Sequence, residues 1–344
     1  MSDPRRVAVV GATGYAGFEL ARLLLRHPEI QKPTFYLRDA NAHVRCLTEL
    51  FPQLRGWCEA PCRTFSVDAV AASGAATTFL ATPHEASVEM VPQLATAGVR
   101  VVDLSGAFRF KNPETFTHWY KLPAPPQQFL DEAVYGLPEI YGAQLPAARI
   151  VANPGCYSTS VILGLKPLVE AGWIAKERGV VCDCKSGATG AGKEPKKELH
   201  FAEVDENFRA YGLFTHRHTP EVTEHLGLSL DDVMFTTHLL PVARGILSTL
   251  YAWLDKPREA NEIETLYRQF YADRPMVRLW PAGKLPELQH VVNTNFCDIG
   301  FALDATGRRL TIVSCLDNLG KGAAGQAVQN LNAMWGFDPQ AGVI

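Results

Sequence analysis

The chain has 344 residues, more than one hydrophobic core usually holds, so its length points to two domains. Lys and Arg total 33 against 36 Asp and Glu, a net charge of −3, which leaves no cationic excess for a nucleic-acid backbone. Apolar residues make up 47% of the chain, yet no run approaches the roughly 20 needed to span a bilayer. Met1 to Arg6 is polar and has no signal-peptide core, so the expected compartment is the cytoplasm, where eight cysteines stay reduced. The close pairs Cys58/Cys62 and Cys182/Cys184 lack the double CxxC spacing of a zinc site. No metal is expected, and Cys182 and Cys184 read as buried strand positions.

Arg6 to Val10 is a β-branched run that ends at Gly11 and reads as a buried parallel strand. A helix pattern follows from Gly14 to His27 and is closed by Pro28. Strands are expected at Thr34 to Leu37, Thr77 to Ala81 and Val99 to Leu104, with a helix at Glu85 to Ala97. This alternation predicts a Rossmann-type, doubly wound parallel sheet. The stretch Asn112 to Pro146, rich in Pro and aromatics, reads as a long surface connection. A strand at Ile150 to Ala152 and a helix at Ser158 to Glu170 open a second pattern. Longer strand runs follow at Val233 to Leu240, Ile246 to Leu254, Cys297 to Leu303 and Arg309 to Ser314, and a final helix at Gly322 to Trp335. Strands this close in sequence predict an α+β domain with a mixed or antiparallel sheet.

Gly11-Ala12-Thr13-Gly14-Tyr15-Ala16-Gly17 lies between the first strand and the first helix. Glycines there let the backbone turn tightly and approach a pyrophosphate, which the free N–H groups and dipole of a helix N-terminus favour. Gly11, Thr13, Gly14, Tyr15, Ala16 and Gly17 are therefore candidate dinucleotide contacts. The second strand ends in Leu37-Arg38-Asp39. An arginine suits a 2′-phosphate and an acidic residue a 2′-hydroxyl, so Arg38 favours NADP while Asp39 leaves NAD open.

Asn153-Pro154-Gly155-Cys156-Tyr157-Ser158-Thr159 lies between a strand and a helix. A cysteine in a helix's first turn faces the positive end of the dipole, which favours thiolate and makes Cys156 the candidate nucleophile. His216-Arg217-His218-Thr219-Pro220-Glu221 offers two imidazoles as proton carriers. Arg109, in Ser105-Gly106-Ala107-Phe108-Arg109, suits a phosphate. The glycine-rich stretch Lys185 to Lys193 follows a strand and could offer its backbone N–H groups to an anion, although it lacks the Walker ending.

Together these segments resemble the N-acetyl-γ-glutamyl-phosphate reductase family, which is related to aspartate-semialdehyde dehydrogenase. The resemblance runs from end to end: GATGYAG at Gly11, FPQLRG at Phe51, ATPHEAS at Ala81, DLSGAFR at Asp103, YGLPE at Tyr135, NPGCYSTS at Asn153, SGATGAGK at Ser186, HRHTPE at His216, HLLPVARGI at His238 and DNLGKGAAGQAVQN at Asp317. The chain departs from the family in the polar run after the second strand, at Ala107, and at Lys193, where arginine is frequent. The resemblance implies an NADP(H)-binding domain of residues 1–150 with 318–344, and a catalytic and dimerisation domain of 151–317. It also implies thioester chemistry on an acyl-phosphate substrate, with Cys156 as nucleophile, His218 preferred over His216 as acid–base, and Arg109, Lys185, Ser158 and Arg217 near the substrate. Ser186, Gly187, Asn318 and Gly320 are implied near the cofactor, and the assembly is expected to be a homodimer or homotetramer. A homologue that reduces N-acetylaminoadipyl phosphate, one methylene longer, would carry the same motifs.

Overall fold

All four residues of the run Val7–Val10 are buried, and they form β1 inside a parallel sheet. The structure is a computed structural model and describes residues 3–38 and 46–344. β1 is joined by β2 (Thr34–Leu37), β3 (Cys62–Thr64), β4 (Thr77–Leu80), β5 (Arg100–Asp103), β6 (Val134–Tyr135) and β7 (Ile150–Ala152). Their order is β3-β2-β1-β4-β5-β7-β6 and every pairing is parallel. Strand order reverses between β1 and β4, and in such sheets ligands collect beyond the carboxyl ends of the strands at that point.

A second sheet holds β8 (Val180–Ser186), β9 (Arg209–Tyr211), β10 (Val233–Leu239), β11 (Ile246–Trp253), β12 (Val277–Leu279), β13 (Cys297–Leu303) and β14 (Arg309–Leu316). Its order is β12-β13-β14-β11-β8-β10-β9. The β8/β10 and β12/β13 pairs are parallel and the rest antiparallel, so the sheet is mixed, as expected. The two compact units are Met1–Pro154 with Ala323–Ile344, and Gly155–Gly322. The crossings thus fall a few residues after 150 and 317, which puts Asn318 and Gly320 in the second unit. The reason is local: the buried Asp317 carboxylate accepts from the Leu319 and Gly320 amides and from Arg244 and Asn293, all in that unit.

Residues 112–146 are not a surface connection. They form helices Pro113–Tyr120 and Gln127–Glu132 and the strand β6, and bury Phe116, Leu130, Tyr135, Leu137 and Leu145. Two of their prolines, Pro113 and Pro138, start helices instead of breaking them. Pro113 sits at the first helical position and Asn112 caps it, accepting from the Glu114 amide at 2.8 Å.

In the second unit the helix Cys156–Glu170 lies against the mixed sheet. Ser160 Oγ is within 2.9 Å of Ser248 Oγ, and Gly164 has no room for a Cβ, which would stand 2.4 Å from Leu250 Cδ1. Pro167 has no N–H to give to the Leu163 carbonyl one turn back. The Tyr271 hydroxyl, from beyond the amphipathic helix Ala260–Phe270, donates to that buried carbonyl at 2.5 Å. Tyr271→Phe is expected to lower stability by about 1–3 kcal/mol, because the carbonyl then stays desolvated and unpaired. Calorimetry on both proteins reads this, and an unchanged Tm would contradict it. No helix among the described residues is long and apolar enough to cross a membrane.

Candidate active site

In the first unit the three glycines after β1 do three different jobs. Gly11 has φ +84° and a Cβ there would stand 2.7 Å from the Ala81 carbonyl oxygen, so it makes the tight turn beside the end of β4. A Cβ on Gly17 would be 2.7 Å from Ala12 Cα, so that glycine lets the helix Tyr15–Arg26 sit against the strand. Gly14, the N-cap of that helix, has nothing within 4 Å of its Cβ position and no side-chain cap bond. Two glycines are required by packing and the middle one faces open space, the pattern of a backbone that a pyrophosphate approaches. The residues present therefore fit a dinucleotide. Arg38 is exposed directly after β2; Asp39 lies outside the described residues. Arg109 is buried and gives its Nε to the Asn153 carbonyl at 2.8 Å and its Nη2 to the Leu104 carbonyl at 3.1 Å. It thus anchors the segment that leads to Cys156.

In the second unit Cys156 is the first residue of the helix Cys156–Glu170, with Gly155 as N-cap. Three groups close around this corner. A Cβ on Gly155 would stand 2.4 Å from His218 Nε2, so the imidazole is seated where any other residue would carry its side chain. A Cβ on Gly322 would be 2.7 Å from Cys156 Cβ, so the segment 317–322 packs against Cys156 through a glycine. The carboxylate of Glu221, fully buried, accepts from the Gly155 amide at 2.7 Å. Ser158, in the same first turn, is fully buried, and its Oγ has no hydrogen-bond partner among the described residues. Arg217 is exposed between the two histidines.

The two histidines differ. His216 Nδ1 accepts the backbone N–H of His218 at 3.2 Å, which leaves the proton of the neutral ring on Nε2. Its ring stands 5.5 Å from Tyr157 and Phe235 and 5.7 Å from Tyr211, centroid to centroid. Burial first, then the Arg217 charge, drives its pKa down to about 4, against a weaker upward pull from Glu221. His216 is therefore a neutral prop for the turn that carries His218. Between pH 6.5 and about 4 the unfolded chain binds a proton at this position that the folded chain refuses. Stability is full above that window and is lost as pH falls through it, by up to about 3 kcal/mol. His216→Asn keeps an acceptor for the His218 amide but cannot titrate. Its urea midpoint is expected to fall less than the parent's between the ends of the window, and an equal fall would contradict this account.

Two expectations need correction. On β8 the side chains alternate: Cys182, Cys184 and Ser186 are buried. Cys182 and Cys184 lie opposite Leu250 and Ser248, the residues that meet the helix Cys156–Glu170. Lys185 consequently stands on the opposite face, where its Nζ pairs with Asp183 at 2.5 Å beside His238. The glycine-rich loop does not offer its amides to an anion. Those of Gly187, Ala188 and Thr189 donate to the carbonyls of Gly245, Val242 and Ala243, and that of Gly190 to Gly187. Asn318 clasps the same loops: its Oδ1 accepts from the Gly245 amide at 2.8 Å and its Nδ2 donates to Thr189 Oγ1 at 2.9 Å. Ser186 Oγ turns to the Gly187 carbonyl at 3.1 Å, and a Cβ on Gly320 would strike the Thr294 carbonyl at 2.3 Å.

Residues 6–148 match the family described as semialdehyde dehydrogenase, NAD binding domain, and residues 156–318 the one described as semialdehyde dehydrogenase, dimerisation domain. The fold is similar to that of aspartate semialdehyde dehydrogenase II from Vibrio cholerae, with a TM-score of 0.71 at 16% identity over 97% of this chain and 98% of that one. It is also similar to aspartate semialdehyde dehydrogenase with NADP from Candida albicans, with a TM-score of 0.67 at 14% identity over 96% and 98%. Fold and family together define an oxidoreductase of the semialdehyde dehydrogenase class, with a nicotinamide dinucleotide as cofactor. The chain is 44% identical over 342 residues to N-acetyl-gamma-glutamyl-phosphate reductase of Desulfotalea psychrophila (98% of this chain, 97% of the relative). The same enzyme of Halorhodospira halophila is 46% identical over 343 residues, at 98% and 97% coverage, and that of Bacillus subtilis 40% over 341, at 98% and 98%. The chain belongs to the N-acetyl-gamma-glutamyl-phosphate reductase family.

Proposed function

We propose that the chain reduces N-acetyl-γ-glutamyl phosphate to N-acetylglutamate 5-semialdehyde and inorganic phosphate, a step of arginine biosynthesis, through a thioester on Cys156 and with NADPH as cofactor. The observation that carries the mechanism is the thiol at the head of a helix whose N-cap glycine holds the imidazole of His218. The names of the full-length relatives support the substrate.

A carboxylate derivative is a poor hydride acceptor and a thioester a better one, so the chain divides the reaction. His218 takes the thiol proton as Cys156 Sγ bonds to the acyl carbon. The acyl C–O bond then breaks and phosphate leaves, taking its proton from water. A dinucleotide held at Gly11 to Gly17 would supply hydride chemistry, and the thioester carbon on Cys156 would be the acceptor. The C–S bond then breaks, the aldehyde departs, and His218 returns its proton to the sulfur. The partial positive charge of the helix N-terminus favours Cys156 as thiolate in both steps. Ser158 Oγ is available to a polar atom of the acyl group, and Arg217 supplies positive charge for the phosphate. Gly11, Thr13, Gly14, Tyr15, Ala16 and Gly17 would hold the dinucleotide, and Arg38 its 2′-phosphate. The outer face of the mixed sheet exposes Met234 and Tyr251, which suits a homodimer or homotetramer.

The test runs the reaction in reverse. Purified protein receives N-acetylglutamate semialdehyde, phosphate and NADP, and reduced cofactor is followed by absorbance. Turnover is expected, faster with NADP than NAD, with that preference reduced in Arg38→Ala. Turnover only with the aminoadipyl homologue would overturn the substrate.

A further inference from the structure

The helix Cys156–Glu170 begins without a capping side chain of its own. Its N-cap is Gly155, and Gly155 must be glycine because His218 Nε2 fills the space a Cβ would take. Its φ and ψ, −70° and 148°, are open to any residue, so the constraint is the imidazole and not the backbone. His218 is in turn the N-cap of the helix Thr219–Leu226, in which Pro220 is the second residue and Glu221 the third. At that third position a glutamate commonly reaches back to the amide of its own N-cap, the second half of a capping box. Glu221 does this for the other helix: its fully buried Oε1 accepts the amide of Gly155 at 2.7 Å. The box is thus divided between two helices, one starting with the nucleophile and the other with its proton carrier.

We propose that Glu221 is a positioning residue that fixes the separation of His218 from Cys156 by capping the nucleophile's helix from the helix of His218. The carboxylate ties the two N-termini with one short charge-assisted bond, and the positive ends of both helices compensate its burial. A miss of even 1 Å between thiol and imidazole would slow proton transfer, so the strut acts on rate through His218 and not through substrate contact. The proposal rests on the reading of Cys156 and His218 as the reacting pair.

The test measures alkylation of Cys156 by iodoacetamide across pH, which needs no substrate and so remains informative if the substrate assignment fails. Glu221→Asp keeps the charge but withdraws the carboxylate by one methylene. It is expected to alkylate about tenfold more slowly at neutral pH and to lose kcat more than KM. Glu221→Gln keeps an acceptor of the same reach and is expected to stay within about threefold of the parent. In a His218→Ala background Glu221→Asp is expected to have no further effect on alkylation. Parent-like alkylation and kcat in a folded Glu221→Asp would overturn the proposal. So would a Glu221→Gln as slow as Glu221→Asp, or an undiminished effect of Glu221→Asp without His218.

Discussion

Cys156→Ser is expected to lower kcat by about 10⁴-fold or more while the protein keeps its fold and its affinity for NADPH. The substitution exchanges one γ atom for a smaller one at a helix start, so packing against Gly322 is preserved. The chemistry is not preserved. A serine hydroxyl at that position stays protonated near neutral pH, and an oxygen ester accepts hydride less readily than a thioester. Dinucleotide binding is assigned to residues around Gly11 to Gly17, which the substitution does not touch. Steady-state rates, fluorescence titration with NADPH and a thermal melt separate these effects. A serine variant within tenfold of the parent would contradict thiol catalysis.

The second large effect concerns His218. His218→Ala is expected to reduce kcat by about 10²–10⁴-fold, the range for loss of a positioned acid–base group. Gly155→Ala reaches the same step without removing the imidazole. Its methyl group would lie 2.4 Å from Nε2 and 2.7 Å from both neighbouring ring carbons, so the ring must move away. The backbone at 155 tolerates alanine, and a side-chain ring can rotate at small cost. The expected result is therefore a fall in kcat of about 10²-fold with a small change in Tm. In the double variant Gly155→Ala with His218→Ala the loss should not exceed that of His218→Ala alone. Additive losses would show that Gly155 acts on something other than the imidazole.

The features legible in sequence are those whose geometry is local. GATGYAG and NPGCY each fix a strand, a turn and a helix start within a few residues, and the structure forms those elements there. Features that depend on which face a distant element covers were harder. The resemblance implies Lys185 near the substrate. The buried pair Cys182 and Cys184 in fact marks the helix-facing side of β8, and period-two alternation then assigns Lys185 to the other side. The amides of residues 187–189 are taken by a loop more than fifty positions away. Nothing local marks Glu221, because its partner, Gly155, is 66 residues distant in sequence. The helix Ala260–Phe270 leaves only a sparse signal in the sequence, Ile263 and Tyr267, four apart and both buried. Residues 112–146 read as a surface connection because they are rich in Pro and aromatics, whereas Pro113 and Pro138 sit at helix starts.

The central claim is a covalent acyl-enzyme on Cys156. Its most direct measurement mixes the protein with N-acetyl-γ-glutamyl phosphate without any reduced cofactor and records intact and peptide masses after acid quench. A gain of one N-acetylglutamyl group is expected on the peptide containing Cys156, discharged on addition of NADPH and absent in Cys156→Ser. An acyl group on another residue, or no adduct from protein that turns over when NADPH is supplied, would contradict it.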